Sequence, residues 1–344
     1  MRPRLLSRAL AATVVIGSAA GGAMMARVPV SAQAGGRPEG LQPRAEASSR
    51  DAPLYTMKVQ GNVHVIVGAG ANIALQLGDL GPIVVDTGTA QRAEAALVSI
   101  RTLTPRPIRY IVNTHSHADH VGGNERIGAA GLPTSGRGVA QVGAGVGARA
   151  EIIAHEETLN RMSAPAGAQA PTPVVAWPTA TYSGKRKDFF YNDEAVQVIH
   201  LPAAHTDGDS VVFFRRSDVI AVGDVYSTVS YPIIDLQRGG TIKGVLDGLN
   251  QLLDLVVAGE KTEGGTMIVP GHGRISDEAD LVEYRDMTTI IRDRVQDMVN
   301  RGMTLAQVQA ARPTMEYDGL YGSAPGWSST QFVEAVYRGL QPAK

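Results

Sequence analysis

From Leu54 onward the chain alternates short β-branched runs with tight turns. "YTMKV", "VHVIV", "ANIALQL" and "PIVVDTG" are separated by Gly68, Gly70, Gly78 and Gly81, which reads as a series of strands. Apolar residues at helical spacing predict a helix over about 90–103, ended by "TPRP". "IRYIVNT" then reads as a buried strand, followed by a helix over about 121–130. "EIIAH" is a strand and "EETLNRM" a helix. The strands "KDFFYN", "AVQVIHLP", "DSVVFFRR" and "DVIAVGD" come next, then a helix over about 242–258 and the strand "TMIVP". The remainder is helical: residues 277–302 carry apolar positions at helical spacing, and "TLAQVQAAR" and "SSTQFVEAVYRGL" each open on a Thr or Ser cap signal. Each half runs strands and then helices, which suggests two βα halves packed face to face around a shared site.

Two segments resist this reading. Residues 131–149 are too glycine-rich to assign. Residues 163–181 carry four prolines and few charges, and read as a long loop of the kind that is functional or disordered.

The start of the chain follows a different pattern. Arg2, Arg4 and Arg8 precede a small-residue apolar run, and Ala32 and Ala34 in "SAQA" fit a signal-peptidase site. The expectation is a signal peptide over residues 1–34, cleaved after Ala34, with a periplasmic or secreted product and no stable membrane anchor. No twin-arginine pattern is present, so the general secretion route is favoured. Residues 35–53, rich in Gly, Pro, Ser and charge, read as a flexible lead-in.

Loss of residues 1–34 removes four arginines and no acids, leaving 28 basic against 33 acidic side chains, a balance of −5. That argues against a nucleic-acid binder driven by phosphate neutralisation and leaves a small-molecule substrate as the expected partner. The chain has no cysteine, which excludes thiolate ligands and thiol nucleophiles.

The chemistry-bearing residues stand out against this background. "NTHSHADHVGG" places three of the eight histidines, with an aspartate, between His115 and His120. In an extended loop, side chains two apart point the same way, so His115 and His117 can grip one ion. Asp119 and His120 point elsewhere and can grip a second. Neutral imidazole and carboxylate suit zinc, and also iron or manganese. His205 in "PAAHTDGDS", Asp224 in "VIAVGDVY" and His272 in "MIVPGHG" each follow a strand into a turn, where α/β folds place their sites. His64, His155 and His200 read as structural; His155 fits a capping or packing role.

His-x-His-x-Asp-His, a later His, Gly-Asp and Gly-His-Gly, in that order, resemble the metallo-β-lactamase superfamily of metallohydrolases. Asp86 in "VVDTG" resembles the family's first motif. The resemblance implies a four-layer αβ/βα sandwich of two mixed sheets flanked by helices, with residues 54–344 forming one catalytic domain. It implies two Zn2+ ions, other divalent metals being possible. His115, His117 and His205 would hold the first, Asp119, His120 and His272 the second, and Asp224 would bridge them. Two such ions roughly 3.5–4 Å apart share a water and lower its pKa towards neutrality. Asp119 would orient that nucleophile as the catalytic residue, and Asp86 would support the loop from behind. Tyr226, Ser227, Tyr231 and Trp177 are candidate pocket residues.

The expected activity is hydrolysis of an acyl C–N or C–O bond in a β-lactam-like, lactone or ester substrate. Phosphodiesterase and sulfatase activities use the same ligands. The runner-up from another class is a mononuclear-iron enzyme of the persulfide dioxygenase kind, using the paired histidines, a later His and an Asp. The intact ligand set speaks against a non-catalytic binding module.

Overall fold

A computed structural model describes residues 52–133, 148–164, 172–261 and 264–341. The expected signal peptide and most of the expected lead-in, the glycine-rich stretch 134–147 and residues 165–171 of the expected long loop lie outside them.

The strand runs seen in the sequence form two mixed sheets. The first has seven strands in chain order: β1 (Tyr55–Gln60), β2 (Val63–Ala69), β3 (Ala71–Gln76), β4 (Ile83–Val85), β5 (Tyr110–Val112), β6 (Glu151–His155) and β7 (Ala180–Tyr182). β1 to β4 pair antiparallel and β4 to β7 parallel. The second sheet contains β8 (Arg186–Tyr191), β9 (Glu194–His200), β10 (Ser210–Phe214), β11 (Val219–Gly223) and β12 (Met267–Pro270). Its order is β12-β11-β10-β9-β8, with only β11 and β12 parallel.

The inner strands are apolar on both faces, and their period-two alternation sorts side chains into separate layers. Val63, Val65, Ala74, Val85, Val112 and Ile153 of the first sheet meet Val196, Val198, Val212, Phe214, Val219, Ala221 and Val269 of the second. Their sequence neighbours point outward. Ile66, Ile73, Leu75, Val84, Ile111 and Ile152 pack against Ala96, Leu97 and Ile100 of α1 (Ala93–Leu103). On the far side, Val211, Phe213, Ile220, Val222 and Ile268 pack against the long C-terminal helices. Helix, sheet, sheet, helix is the four-layer sandwich the resemblance implied.

Helix boundaries differ from the sequence reading in ways that matter locally. The expected helix at 90–103 begins as a 3₁₀ turn, Ala90–Arg92, before α1. The expected helix at 121–130 is two short pieces, α2 (Ala118–Val121) and α3 (Asn124–Ala129), broken at Gly122–Gly123. A Cβ on Gly122 would sit 2.5 Å from Ala90 N, and one on Gly123 2.4 Å from the Thr87 carbonyl. The chain therefore crosses tightly there, at a step a continuous side-chain-bearing helix could not make. α4 (Glu156–Ser163) is capped by His155, whose Nδ1 accepts from Glu157 N, so that histidine has the capping role its position suggested; its ring stacks on His200 at 3.6 Å.

The C-terminal third matches more closely. α5 (Ile242–Leu255) is capped by Thr241, and α6 (Glu278–Asn300) by Asp277. α7 (Leu305–Ala311) carries a capping box at Thr304. α8 (Asp318–Tyr321) and the hairpin of β13 (Ser323–Ala324) and β14 (Trp327–Ser328) were not expected. α9 (Ser329–Leu340) has its capping box at Ser328. No helix among the described residues is long and apolar enough to cross a membrane.

The end of the sandwich away from the histidine loop is tied by Glu194, at the start of β9. Its carboxylate accepts from Gln76 Nε2 on the other sheet (2.8 Å), from Ser217 N (3.0 Å) and Oγ (3.1 Å), and from Arg216 N (3.2 Å). Glu194→Ala would strand several buried donors at once. We expect about 2–4 kcal/mol of lost stability, read as a lower urea midpoint at constant m-value. An unchanged midpoint would contradict the assignment.

Candidate metal centre

The candidate ligands and their support Asp86 leave the sheets at one end. Asp86 follows β4, His115 follows β5, His205 follows β9, Asp224 follows β11, and His272 follows β12. Asp86 takes a left-handed φ of 62°, which turns its carboxylate under the histidine loop. The chain bends over Thr114–Ser116, His117 takes an extended backbone, and α2 starts at Ala118. The bend brings His115 and His117 into one cluster, and the helical turn carries Asp119 and His120 into the other. The sequence treated the whole segment as extended; it is a bend followed by a helical turn.

Two ligand clusters result. His115, His117, His205 and Asp224 form one, and Asp119, His120 and His272 the other. In the first, His117 Nδ1 lies 3.2 Å from His115 Nε2 and 3.0 Å from His205 Nε2. Tetrahedral zinc with Zn–N of about 2.0–2.1 Å needs ligand nitrogens about 3.3 Å apart, close to this spacing. In the second, His272 Nε2 and His120 Nε2 lie 3.1 and 3.8 Å from Asp119 Oδ2. Asp224 stands between them. Its Oδ2 is 3.9 Å from His115, 3.8 Å from His205 and 3.6 Å from His272, and its Oδ1 is 3.3 Å from His120 Nε2.

Four of the five imidazoles are gripped from behind, so the other nitrogen of each faces a cluster. His120 Nδ1 is 2.7 Å from Asp86 Oδ2. His205 Nδ1 donates to the Ile233 carbonyl at 2.7 Å. His115 Nδ1 is 3.1 Å from Thr114 Oγ1, which itself donates to Asp86 Oδ2 at 2.7 Å. Thr114 N also donates to Asp86 Oδ1 at 2.8 Å. His117 Nε2 is 3.0 Å from Asp235 Oδ2. Such partners fix tautomer and ring orientation in metal sites.

The inward atoms fit a cation. His120 Nε2 and Asp224 Oδ1 are both fully buried, and neither is aligned on a hydrogen-bond partner. Buried polar atoms left so cost free energy, and a divalent ion coordinated by both would remove that cost. The donor set of imidazole and carboxylate suits zinc and its neighbours.

Electrostatics separates the clusters. Burial holds His115 well below the usual imidazole range, with His120 and His205 beside it adding to the effect. Burial brings His205 down to about 4, against the pull of Asp224. In His120 burial is outweighed by Asp224 and Asp86, which lift it well above its ordinary value. In His272, burial is likewise outweighed by Asp224 and by the Asp119 hydrogen bond. Burial would raise both carboxyls. Instead His272 and His120 hold Asp224 well below the carboxylate range, and the His272 bond with the His120 charge holds Asp119 at about 2. The second cluster thus favours cationic imidazoles beside its carboxylates where the first favours neutral ones, and a metal cation bound there would compete with those protons.

Asp119, His272 and His117 are the partly exposed members, at 35, 27 and 22% of their side-chain surface, and mark the open side. The other four ligand candidates are buried.

The candidate pocket residues fare differently. Tyr226 and Tyr231 do not line the open side. Tyr226 is buried edge-on against Tyr284. Tyr231 is buried and stacked on Phe332, its hydroxyl donating to Thr314 O and Asp318. After Asp224 the chain turns down into the helical layer, so sequence adjacency does not put these rings at the site. Ser227 is also buried, its Oγ accepting from Val229 N and from Ser230 Oγ. Trp177 is half-buried, with Nε1 bonded to Thr172 O. Asp235, Arg238 and Thr114 are the supporting residues the sequence reading missed. "IIDLQRGG" offered only an aspartate before a glycine pair.

The family model for the metallo-beta-lactamase superfamily matches residues 59–273, a span that contains every residue of both clusters. The chain belongs to the metallo-β-lactamase superfamily. Among solved structures, the stereoselective inverting sec-alkylsulfatase Pisa1 from Pseudomonas sp. is similar with a TM-score of 0.58 at 19% identity. The match covers 83% of this chain and 50% of that one, so this superfamily member spans about half the alkylsulfatase's length. A motif mutant of the metallo-beta-lactamase from Cronobacter sakazakii is similar with a TM-score of 0.54 at 19% identity, over 73% of this chain and 100% of that one. These likenesses describe the fold. No curated protein gives a significant match.

Gly271 leaves no room for a side chain at this superfamily site. A Cβ there would fall 2.1 Å from Asp224 Oδ1 and 2.9 Å from His120 Cε1. We expect Gly271→Ala to fold but to displace the Asp224 carboxylate. Zinc should then raise the melting temperature of the wild type by several degrees and that of the variant by far less. An equal shift in both would contradict the cramped geometry.

Proposed function

We propose that the chain is an exported, two-zinc hydrolase that cleaves an acyl C–N or C–O bond in a β-lactam-like, lactone or ester substrate. The observation that carries the metal reading is the convergence of two ligand clusters on one carboxylate, where His120 Nε2 and Asp224 Oδ1 lie buried 3.3 Å apart without an aligned hydrogen bond. His115, His117 and His205 would hold one ion, Asp119, His120 and His272 the other, and Asp224 would touch both.

When bound, such a pair supplies Lewis acidity and a water made nucleophilic near neutral pH. The protein's own groups do the rest. Asp119, ionised and on the open side, would accept a hydrogen bond from the attacking water and orient it, and its bond from His272 aims its Oδ2 inward. Asp86 and Thr114 hold the histidine loop still, so the ligands do not reorganise as charge develops on the substrate oxygen. The absence of cysteine is consistent with direct attack by water, with no thiol to acylate. A leader with an A-x-A site supports export, and the compartment outside the inner membrane is where a β-lactam hydrolase works.

The same ligands serve sulfate and phosphate esters, and the alkylsulfatase likeness keeps a sulfate ester in the test. Purified protein should be assayed on a cephalosporin, an acyl lactone, a thioester, an aryl sulfate and a phosphodiester, with and without chelator. We expect chelator-sensitive turnover of the cephalosporin or the lactone. Turnover confined to the sulfate or the phosphodiester, or untouched by chelator, would overturn the proposal. A single tightly bound iron, on His115, His117, His205 and Asp224, would favour the persulfide-oxidising alternative. Asp224→Ala should lose most of one ion and about 100-fold or more in kcat/KM; full activity would mean the bridge is misplaced.

A further inference from the structure

Residues 233–240, between β11 and α5, supply no ligand, yet they grip two members of one cluster. Ile233 O accepts from His205 Nδ1, and Asp235 N donates to the His205 carbonyl at 3.0 Å. Asp235 Oδ2 reaches His117 Nε2. Asp235 is itself held on all sides. Its Oδ1 accepts from Gln237 N and Arg238 N, both at 3.0 Å, and its Oδ2 accepts from Arg238 Nη1 at 2.6 Å. Gly240 N donates to its carbonyl at 2.9 Å. The other cluster is supported elsewhere. Asp86 backs His120, and Asn72 steadies the His272 turn by donating to Pro270 O at 2.9 Å and Gly273 O at 3.0 Å.

We propose that Asp235 is a positioning residue that selects the His117 tautomer able to bind the first ion, and that Arg238 would select the wrong one if Asp235 were absent. The inference rests on the two-ion reading above. A neutral imidazole has one N–H. A carboxylate on Nε2 draws that hydrogen there and leaves the Nδ1 lone pair facing His115 and His205. Arg238 Nη1 also lies 3.2 Å from Nε2, but a guanidinium only donates. Alone, it would make Nε2 an acceptor and move the hydrogen to Nδ1, into the cluster. Asp235 prevents this by taking both the arginine and the imidazole hydrogens on one oxygen.

The isosteric variant Asp235→Asn tests this directly. The amide oxygen can keep both turn bonds, which places the amide NH2, another donor, against Nε2. Full-length protein is stripped of metal and titrated with zinc in competition with a chromophoric chelator. We expect two tight ions in the wild type. In Asp235→Asn, one should stay at near wild-type affinity and the other weaken about 10–100-fold. Asp235→Ala should behave similarly, and Asp235→Ala with Arg238→Ala should recover part of the lost affinity, a rescue that a purely structural role for the pair would not give. Unchanged affinities in Asp235→Asn, equal weakening of both ions, or no recovery in the double variant would overturn the proposal. A wild type that takes up no zinc would overturn the metal reading itself.

Discussion

One requirement shapes this site: several nitrogens and carboxylate oxygens must converge with their lone pairs free. An imidazole presents a bare nitrogen reliably only when its other nitrogen is held by an acceptor. The protein provides such a partner for His115, His117, His120 and His205, each from a different place: a threonine hydroxyl, an aspartate beyond β11, an aspartate after β4 and a backbone carbonyl. Thr114 and Asp86 form one unit, because the hydroxyl that accepts from His115 donates to the carboxylate that accepts from His120. Two histidines assigned to different ions thus share one support.

The fold makes this convergence possible. Inner strands apolar on both faces commit the two sheets to a buried middle layer and two outer ones, and register is then set along them. The strands that carry ligands all end at the same edge of the sandwich, so residues far apart in the chain emerge together. Close approach there needs glycine. Gly223 takes a φ of +52° and has no room for a Cβ beside Thr114. The opposite edge is tied by the clasp around Glu194.

Much of this was legible in the sequence because the signals are local. The alternating β-branched runs foretold the sheets, and the cap residues Thr241, Asp277, Thr304 and Ser328 stand where the helices begin. The ligand candidates were legible as polar residues following strands into glycine turns. What was not legible depends on contacts between distant segments. Asp235 reaches His117 across 118 positions, and nothing in its own neighbourhood marks it. Tyr226 and Tyr231 were misread for the converse reason: they follow Asp224 closely, but the chain turns inward after it and buries both rings under the helices. The break at Gly122–Gly123 was missed because only the crossing by Thr87 and Ala90 demands it.

The central claim is that the seven inward-facing groups form two adjoining cation sites joined by Asp224. Crystals of the protein grown with zinc, measured on both sides of the zinc absorption edge, test it most directly. The account predicts two anomalous peaks, one enclosed by His115, His117 and His205, the other by Asp119, His120 and His272, with Asp224 touching both. A single peak with the second cluster still holding protons, or zinc bound only elsewhere, would contradict it.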